Sequence, residues 1–81
     1  MEKITDKSGN DYYETGNIRI TVVKNTWNNQ PGIRIQAYKN EAYKNGQNKS
    51  LFPGAELPIP NAGAAFDLIK AIIKALEDCG I

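Results

Sequence analysis

The chain contains no histidine and only one cysteine among its 81 residues. Without histidine it lacks the commonest metal ligand and the usual general base near neutral pH. A single cysteine cannot form an internal disulfide, and Cys79 stands where a small apolar residue is expected. The serines lack a neighbouring base and the carboxylates lack the spacing of an acid–base pair. We therefore expect a protein that is not an enzyme, with no cofactor, no metal and no evident small-molecule substrate.

Long hydrophobic runs are also absent. The first residues, MEKITDKSG, contain no apolar signal region, and no stretch approaches the length of a membrane span. These features predict a reducing, cytoplasmic setting without membrane contact. The length predicts one domain, residues 1–81, whose small core makes stability depend on a staple or a partner.

Residues 61–79 carry the strongest helix pattern in the sequence. Asn61 is placed to cap the first turn, and Gly80 follows the last turn, where a left-handed residue is favoured. Apolar residues then recur at helical spacing from Phe66 to Leu76. The rest of the fold can be arranged around this helix.

The apolar arc of this helix is nearly twice the roughly 100° that one small sheet requires. We expect the side with Ile69, Ile73 and Leu76 to cover the sheet, and the opposite side to meet a second copy of the protein. The alternative is that the alanines only raise helix propensity. The residues expected at the dimer interface are Leu68, Ala71, Ile72, Ala75 and Cys79.

Alternating residues predict strands at 17–24 and 33–39, joined as an antiparallel hairpin by the Asn-rich loop 25–32. The isoleucines of both strands are expected to face the core, and Arg19, Thr21 and Arg34 to face water. A second hairpin is expected around Asn45-Gly46. Residues 1–11 suit either a flexible arm or a short edge strand.

These elements predict an α+β fold of one domain. A curved antiparallel sheet of three to four strands, within residues 17–59, would be followed by the helix at 61–79, in the order β-β-β-β-α. The helix would pack on the inner face of the sheet and lie at a dimer interface. The outer face would stay open to water.

The middle of the chain is basic. Residues 17–55 hold six lysines and arginines but one acid, whereas the flanking segments are acidic in balance. Cations mixed with aromatic rings on an open sheet suit single-stranded nucleic acid, because cations neutralise phosphates and rings stack on unpaired bases. The expected contacts are Arg19, Thr21, Lys24, Trp27, Arg34, Gln36, Tyr38, Lys39, Tyr43, Lys44 and Lys49.

The segments IRITVVK (18–24) and GIRIQAY (32–38), the return at 54–59 and the terminal helix resemble the PC4-like family of single-stranded DNA-binding transcriptional coactivators. The resemblance covers about residues 17–78. It implies a four-stranded sheet with one helix, dimerisation through the helix side, and single-stranded DNA along the sheet. By position, Arg19, Arg34 and Tyr38 match the basic and aromatic strand positions of the family, whereas the loop 25–32 is longer than in the family hairpin.

Two other functions remain open on the sequence alone. A three-stranded sheet followed by a helix is also the order of integrase-type arms, which bind duplex DNA in the major groove. A small oligomeric module that binds a protein partner is the third possibility, because a wide apolar helix and an exposed sheet edge would serve assembly.

Overall fold

The computed structural model describes residues 1–40 and 50–80. They form a five-stranded antiparallel sheet followed by one helix, with the strands in chain order β1-β2-β3-β4-β5. The elements are β1 (Ile4–Thr5), β2 (Asp11–Thr15), β3 (Ile18–Val23), β4 (Gly32–Ala37), β5 (Ala55–Leu57) and α1 (Ala62–Asp78). The α+β arrangement expected from the sequence is confirmed, with one strand more than the three or four expected.

The additional strand comes from the N-terminal residues, where a flexible arm and an edge strand were both open. Ile4 pairs with Tyr12, so β1 forms the edge of the sheet beside β2. The turn between them is closed by the Asp6 carboxylate, which accepts hydrogen bonds from the backbone N–H groups of Ser8 and Asn10, each at 2.9 Å. The N-terminal segment is therefore part of the sheet.

The central hairpin forms as predicted. β3 pairs antiparallel with β4, with Ile20 opposite Ile35 and Thr21 opposite Arg34. In the connecting loop, Thr26 both donates and accepts backbone hydrogen bonds, and its hydroxyl donates to the carbonyl oxygen of Gln30 at 2.7 Å. The buried Thr26 thus fixes the Asn-rich loop against the end of the sheet.

The hairpin predicted around Asn45-Gly46 lies on residues 41–49, outside the described residues. On either side of them, Tyr38 and Leu51 form an antiparallel bridge. The N–H of Lys39 donates to Ser50 O, and that of Phe52 to Ala37 O. The chain therefore returns antiparallel to the end of β4 before it forms β5.

Cross-strand register assigns the side chains to two faces of the sheet. The polar face carries Tyr12, Glu14, Arg19, Thr21, Arg34, Gln36, Tyr38 and Glu56. The apolar face carries Ile18, Ile20, Val22, Ile33, Ile35, Ala37, Ala55 and Leu57.

Burial of these faces is the reverse of the expectation. On the polar face, Tyr12, Thr21 and Tyr38 are each 1% exposed and Arg19 is 6% exposed. On the apolar face, Val22 is 41% exposed and the isoleucines are only half-buried. Aromatic rings remove more surface from water than aliphatic side chains do, and Tyr12 and Tyr38 are the largest fully buried side chains described. The expectation of an inner face of isoleucines and a water-exposed polar face is wrong for the single chain.

The helix begins and ends where the sequence predicted. The Asn61 side chain accepts a hydrogen bond from the N–H of Ala64 at 2.9 Å, and Gly80 adopts a positive φ of 76°. Its packing differs from the expectation, because no residue of α1 is buried. Phe66, Ile69, Ile72, Ile73 and Leu76 are 45–61% exposed. The expected cover of the inner face by α1 is therefore not formed within the chain.

The connection between β5 and α1 explains this separation. Residues 58–61 read PIPN, and proline fixes φ while it holds the residue before it in an extended conformation. Two prolines in four residues make a short, stiff and extended connection. Such a connection opposes the sharp reversal that would lay α1 back on its own sheet.

Two glycines permit the close approach of the last strands. A Cβ on Gly32 would collide with the carbonyl oxygen of Leu57, and a Cβ on Gly54 would collide with that of Ile35. Both obstacles are backbone atoms, which cannot rotate away as a flexible side chain can. The attachment of β5 to β4 therefore depends on glycine at both positions.

We predict that Gly32→Ala lowers the free energy of unfolding by about 1–3 kcal/mol, as other overpacked sites do. The measurement is urea unfolding followed by circular dichroism. Gly63→Ala is the matched control, because a Cβ there meets only the Asn61 side-chain oxygen, at 3.3 Å, and alanine favours a helix over glycine. Equal stability of Gly32→Ala and the wild type would contradict the strand packing.

Candidate nucleic-acid interface

The structure divides the predicted contact residues into three groups. Arg19, Thr21 and Tyr38 are buried, and the expectation that they lie on a water-exposed face is wrong. Five side chains remain accessible in full or in part, and three lie outside the described residues. The accessible group is Lys24, Trp27, Arg34, Gln36 and Lys39; Tyr43, Lys44 and Lys49 form the last group.

Two members of the buried group, Arg19 and Tyr38, form a polar cluster with residues of β2 and the N-terminal turn. The Arg19 guanidinium carbon lies 3.7 Å from the centroid of the Tyr12 ring, and Arg19 Nη2 lies 3.5 Å from Asp6 Oδ2. The Tyr38 hydroxyl donates to Glu14 Oε2 at 2.6 Å. Burial of an arginine is tolerable only when a carboxylate and a ring face replace water around it. These contacts are structural, since they hold three strands together.

The cluster also changes the acidity of Tyr38. Burial raises its pKa from the ordinary value of 10.0 to about 12, aided by the hydrogen bond to Glu14 and the negative charge of that carboxylate. Arg19 opposes this change with its positive charge. The phenol therefore remains neutral as a donor to Glu14 throughout the neutral and mildly alkaline range.

An exposed strip runs beside the buried cluster, along β4 and β5. We call it the β4–β5 strip, and it consists of Trp27, Arg34, Gln36, Lys39 and Phe52. Trp27 is 73% exposed, yet its indole Nε1–H donates to the backbone oxygen of Glu56 at 3.2 Å. The edge of the ring is thus fixed to β5 while most of its surface faces water.

The same Glu56 organises the next cation of the strip. Arg34 donates from Nε and Nη2 to Glu56 Oε2, at 3.3 Å and 2.8 Å. Both side chains are partly exposed, so the pair contributes little to stability, but it compensates the charge of Arg34. Trp27 and Arg34 therefore converge on one residue of β5.

The far end of the strip contains a second exposed ring. Gln36 Nε2 donates to the backbone oxygen of Phe52 at 3.3 Å, and the Lys39 ammonium nitrogen lies 5.6 Å from the centroid of the Phe52 ring. Phe52 is 50% exposed. Two accessible rings and two cations thus lie at the β4–β5 edge of the sheet, a composition that suits an anionic ligand with flat groups.

Sequence reasoning missed Phe52 and Glu56. Phe52 follows the basic segment in LFPG, and its position between Lys49 and the Pro53-Gly54 turn was an available signal. Glu56 had none, because its place opposite Arg34 depends on the register of β5, a strand of three residues. Register of so short a strand cannot be determined from alternation.

Comparison of the chain with protein-family models, curated protein sequences and solved structures found no match. The PC4-like resemblance therefore stays a prediction. Residues 1–40 and 50–80 contain no group of three or more side chains that could hold a metal ion. Within that same part of the chain, no helix has the length and apolar character needed to cross a membrane.

We predict that the buried Tyr38 makes stability fall between pH 10 and pH 12. A phenol whose pKa is higher in the folded than in the unfolded state stabilises the fold below the unfolded pKa and loses that contribution as the pH rises through the folded pKa. For a difference of this size the loss is about 2–3 kcal/mol. Urea unfolding across this range measures it.

Tyr38→Phe is the control for this measurement, because it keeps the ring and removes the ionisable group. The variant should be less stable at neutral pH, and its stability should fall less between pH 10 and pH 12 than that of the wild type. Identical pH profiles for the two proteins would show that Tyr38 does not titrate as described.

Proposed function

We propose that the protein binds single-stranded nucleic acid, DNA or RNA, through the β4–β5 strip and without catalysing a reaction. The observation that carries the proposal is Trp27, which is 73% exposed although its indole nitrogen is hydrogen-bonded to the sheet. An indole ring that is fixed by a hydrogen bond but exposed has lost conformational freedom without removing its apolar surface from water. That arrangement is expected where the ring face serves a ligand.

Stacking supports a single strand as the ligand. Unpaired bases expose flat faces that a tryptophan or phenylalanine ring can cover, at about 1–3 kcal/mol for each base. Trp27 and Phe52 provide two such rings, one near each end of the strip. A duplex keeps its base faces inside the helix, so neither ring would have a partner there.

Cations along the strip support the phosphate contacts. Within the strip, Lys39 is exposed and Arg34 is accessible in part, and Lys24, which follows β3, is also exposed. The segment 41–49 adds Lys44 and Lys49 to the same basic part of the sequence. Neutralisation of phosphates releases counterions, so binding should weaken as salt increases.

The duplex alternative loses support from the burial of the polar face. A sheet that enters the major groove must present side chains from the middle of its strands to base edges. Here the middle of the polar face, with Arg19 and Thr21, is buried. The accessible groups lie at the β4–β5 edge of the sheet, where they suit a flexible strand better than a groove.

We predict that Trp27→Ala weakens binding of an oligo-dT of about 20 nucleotides by roughly 5- to 150-fold, the cost of one lost stacking contact. Fluorescence anisotropy of a labelled oligonucleotide measures the affinity, with the matching duplex as the comparison ligand. Lys39→Ala should weaken binding and reduce its salt dependence. The charge-matched control is Lys74→Ala on α1, which should bind as the wild type does. Unchanged affinity in Trp27→Ala would contradict the proposal.

We also predict that Glu56→Gln tightens binding of the oligonucleotide. The slope of log affinity against log salt concentration should become steeper by about one, which corresponds to one more released ion. The carboxylate competes with phosphate for Arg34, and its removal frees that cation. Glu77→Gln, on the exposed helix, makes the same change in net charge away from the strip. Equal effects of the two substitutions would show that Arg34 does not contact the ligand.

A further inference from the structure

Two apolar surfaces of this chain have no partner within it. The first is the side of α1 formed by Phe66, Ile69, Ile72, Ile73 and Leu76, all at least 45% exposed. The second is the apolar face of the sheet, where Val22 is exposed and its isoleucine neighbours are half-buried. Isolated apolar side chains on a surface are ordinary, but contiguous sets of this kind mark interaction sites.

The two surfaces are complementary in chemistry. On β3, β4 and β5 the apolar face carries no charged side chain, only isoleucine, valine, leucine and alanine. The apolar side of α1 offers aliphatic side chains and one phenylalanine at helical spacing. A helix on one face of an antiparallel sheet is a common way to bury both. The stiff connection at 58–61 opposes this contact within one chain.

The polar side of α1 needs no partner. Lys70 Nζ lies 3.3 Å from Asp67 Oδ1, and Lys74 Nζ lies 2.8 Å from Asp78 Oδ1, so these four charges are paired along the helix itself. This side can remain in water when the apolar side is covered. The helix is therefore amphipathic in the sense required of an interface helix.

We propose that a second copy of this chain covers both surfaces, with α1 of each copy lying on the apolar sheet face of the other. The arrangement is a closed two-fold dimer, since each copy supplies the same helix and receives it on the same face. The proposed interface includes more of α1 than the sequence predicted. Ile69, Ile73 and Leu76, which were expected to cover the chain's own sheet, lie on the sheet of the second copy instead. They add to the residues already expected at the interface, which are Leu68, Ala71, Ile72, Ala75 and Cys79. Exchange of a secondary-structure element between two copies is a known route to dimers, and a short, stiff connection before that element favours it.

The exposed area matches what such a dimer requires. The chain has an accessible surface of 5775 Å². A folded monomer of 9.0 kDa is expected to expose about 4,900 Å², so the chain exposes an excess of about 900 Å². A standard stable interface buries about 800 Å² on each partner. The excess is thus sufficient for one interface of ordinary size.

The dimer does not depend on the proposed nucleic-acid binding. The contacts described for the β4–β5 strip are to the backbone and side chain of Glu56 and to Phe52, and they involve no residue of α1. A protein that dimerises but does not bind oligo-dT would reject the proposed function alone. A monomer that binds oligo-dT would reject the dimer alone.

Sedimentation velocity over a range of concentrations tests the proposal. We expect a species of twice the 9.0 kDa chain mass. Val22→Glu on the sheet and Ile73→Glu on the helix should each raise the dimer dissociation constant more than about 100-fold, because each places an unpaired carboxylate in both copies of the contact. Lys74→Glu, on the polar side of α1, is the control and should still dimerise. A wild type that stays monomeric, or one that forms open-ended assemblies, would overturn the proposal.

The sheet variant, Val22→Glu, distinguishes a dimer in which α1 lies on the sheet of the other copy from a dimer in which the two helices pack only on each other. If two copies of α1 pack only on each other, Ile73→Glu is monomeric while Val22→Glu remains a dimer, and the proposal is wrong. Circular dichroism confirms that each variant is folded.

A cross-linking experiment covers the case in which Val22→Glu does not fold. In a Cys79→Ser background, one chain carries Val22→Cys and a differently tagged chain carries Ile73→Cys. Exchange predicts that a short thiol cross-linker joins the two different chains. Cross-links only between Ile73→Cys chains would overturn the proposal.

Discussion

The stacking of Arg19 on Tyr12 is the contact on which the rest of the structure depends. The guanidinium lies 3.7 Å from the centre of the ring and is paired at its edge with Asp6. Asp6 also closes the turn between β1 and β2, so one carboxylate joins the N-terminal turn to β3. An arginine that is 6% exposed must keep such partners, because an unpaired charge in that position would cost several kcal/mol.

Burial of this cluster determines what each side of the sheet can do. Since successive residues of a strand alternate between faces, enclosing Arg19 and Thr21 turns Ile18, Ile20 and Val22 outward. The side of the sheet that carries most of the isoleucines is therefore the side left for a partner. The ligand surface, in turn, is reduced to the β4–β5 strip, where Trp27 and Arg34 meet Glu56. The two proposed interactions thus use different residues of a small domain.

Local features of this fold could be predicted from the sequence, and non-local ones could not. The Asn61 cap, the Gly80 terminus and the β3–β4 hairpin depend on residues close to one another in the chain, and each is found as predicted. The alternation of side chains along β3 and β4 correctly divides their residues between the two faces of the sheet. It does not determine which set is buried, because that choice depends on Tyr12 and Asp6, which come from other strands and turns. The prediction assigned the isoleucines to the core from their hydropathy alone.

For the candidate site, Trp27, Arg34, Gln36, Lys39 and Lys24 could be identified from their chemistry, and they remain accessible. Arg19, Thr21 and Tyr38 were assigned to it because they share a face with Arg34, yet the cluster with Tyr12 and Glu14 encloses them. Their distance from solvent is a property of packing across three strands, for which the sequence of one strand carries no signal.

The most direct test of this account compares the two arginines, Arg19 and Arg34, the only ones in the chain. Nitrogen-15 NMR of the arginine side chains should give an Arg19 Nε–H resonance that is shifted by the Tyr12 ring and exchanges slowly with water. The Arg34 resonance should exchange faster, as its side chain is partly exposed. Two arginine resonances with the same rapid exchange and no ring-current shift would contradict the buried polar cluster, and with it the assignment of both faces of the sheet.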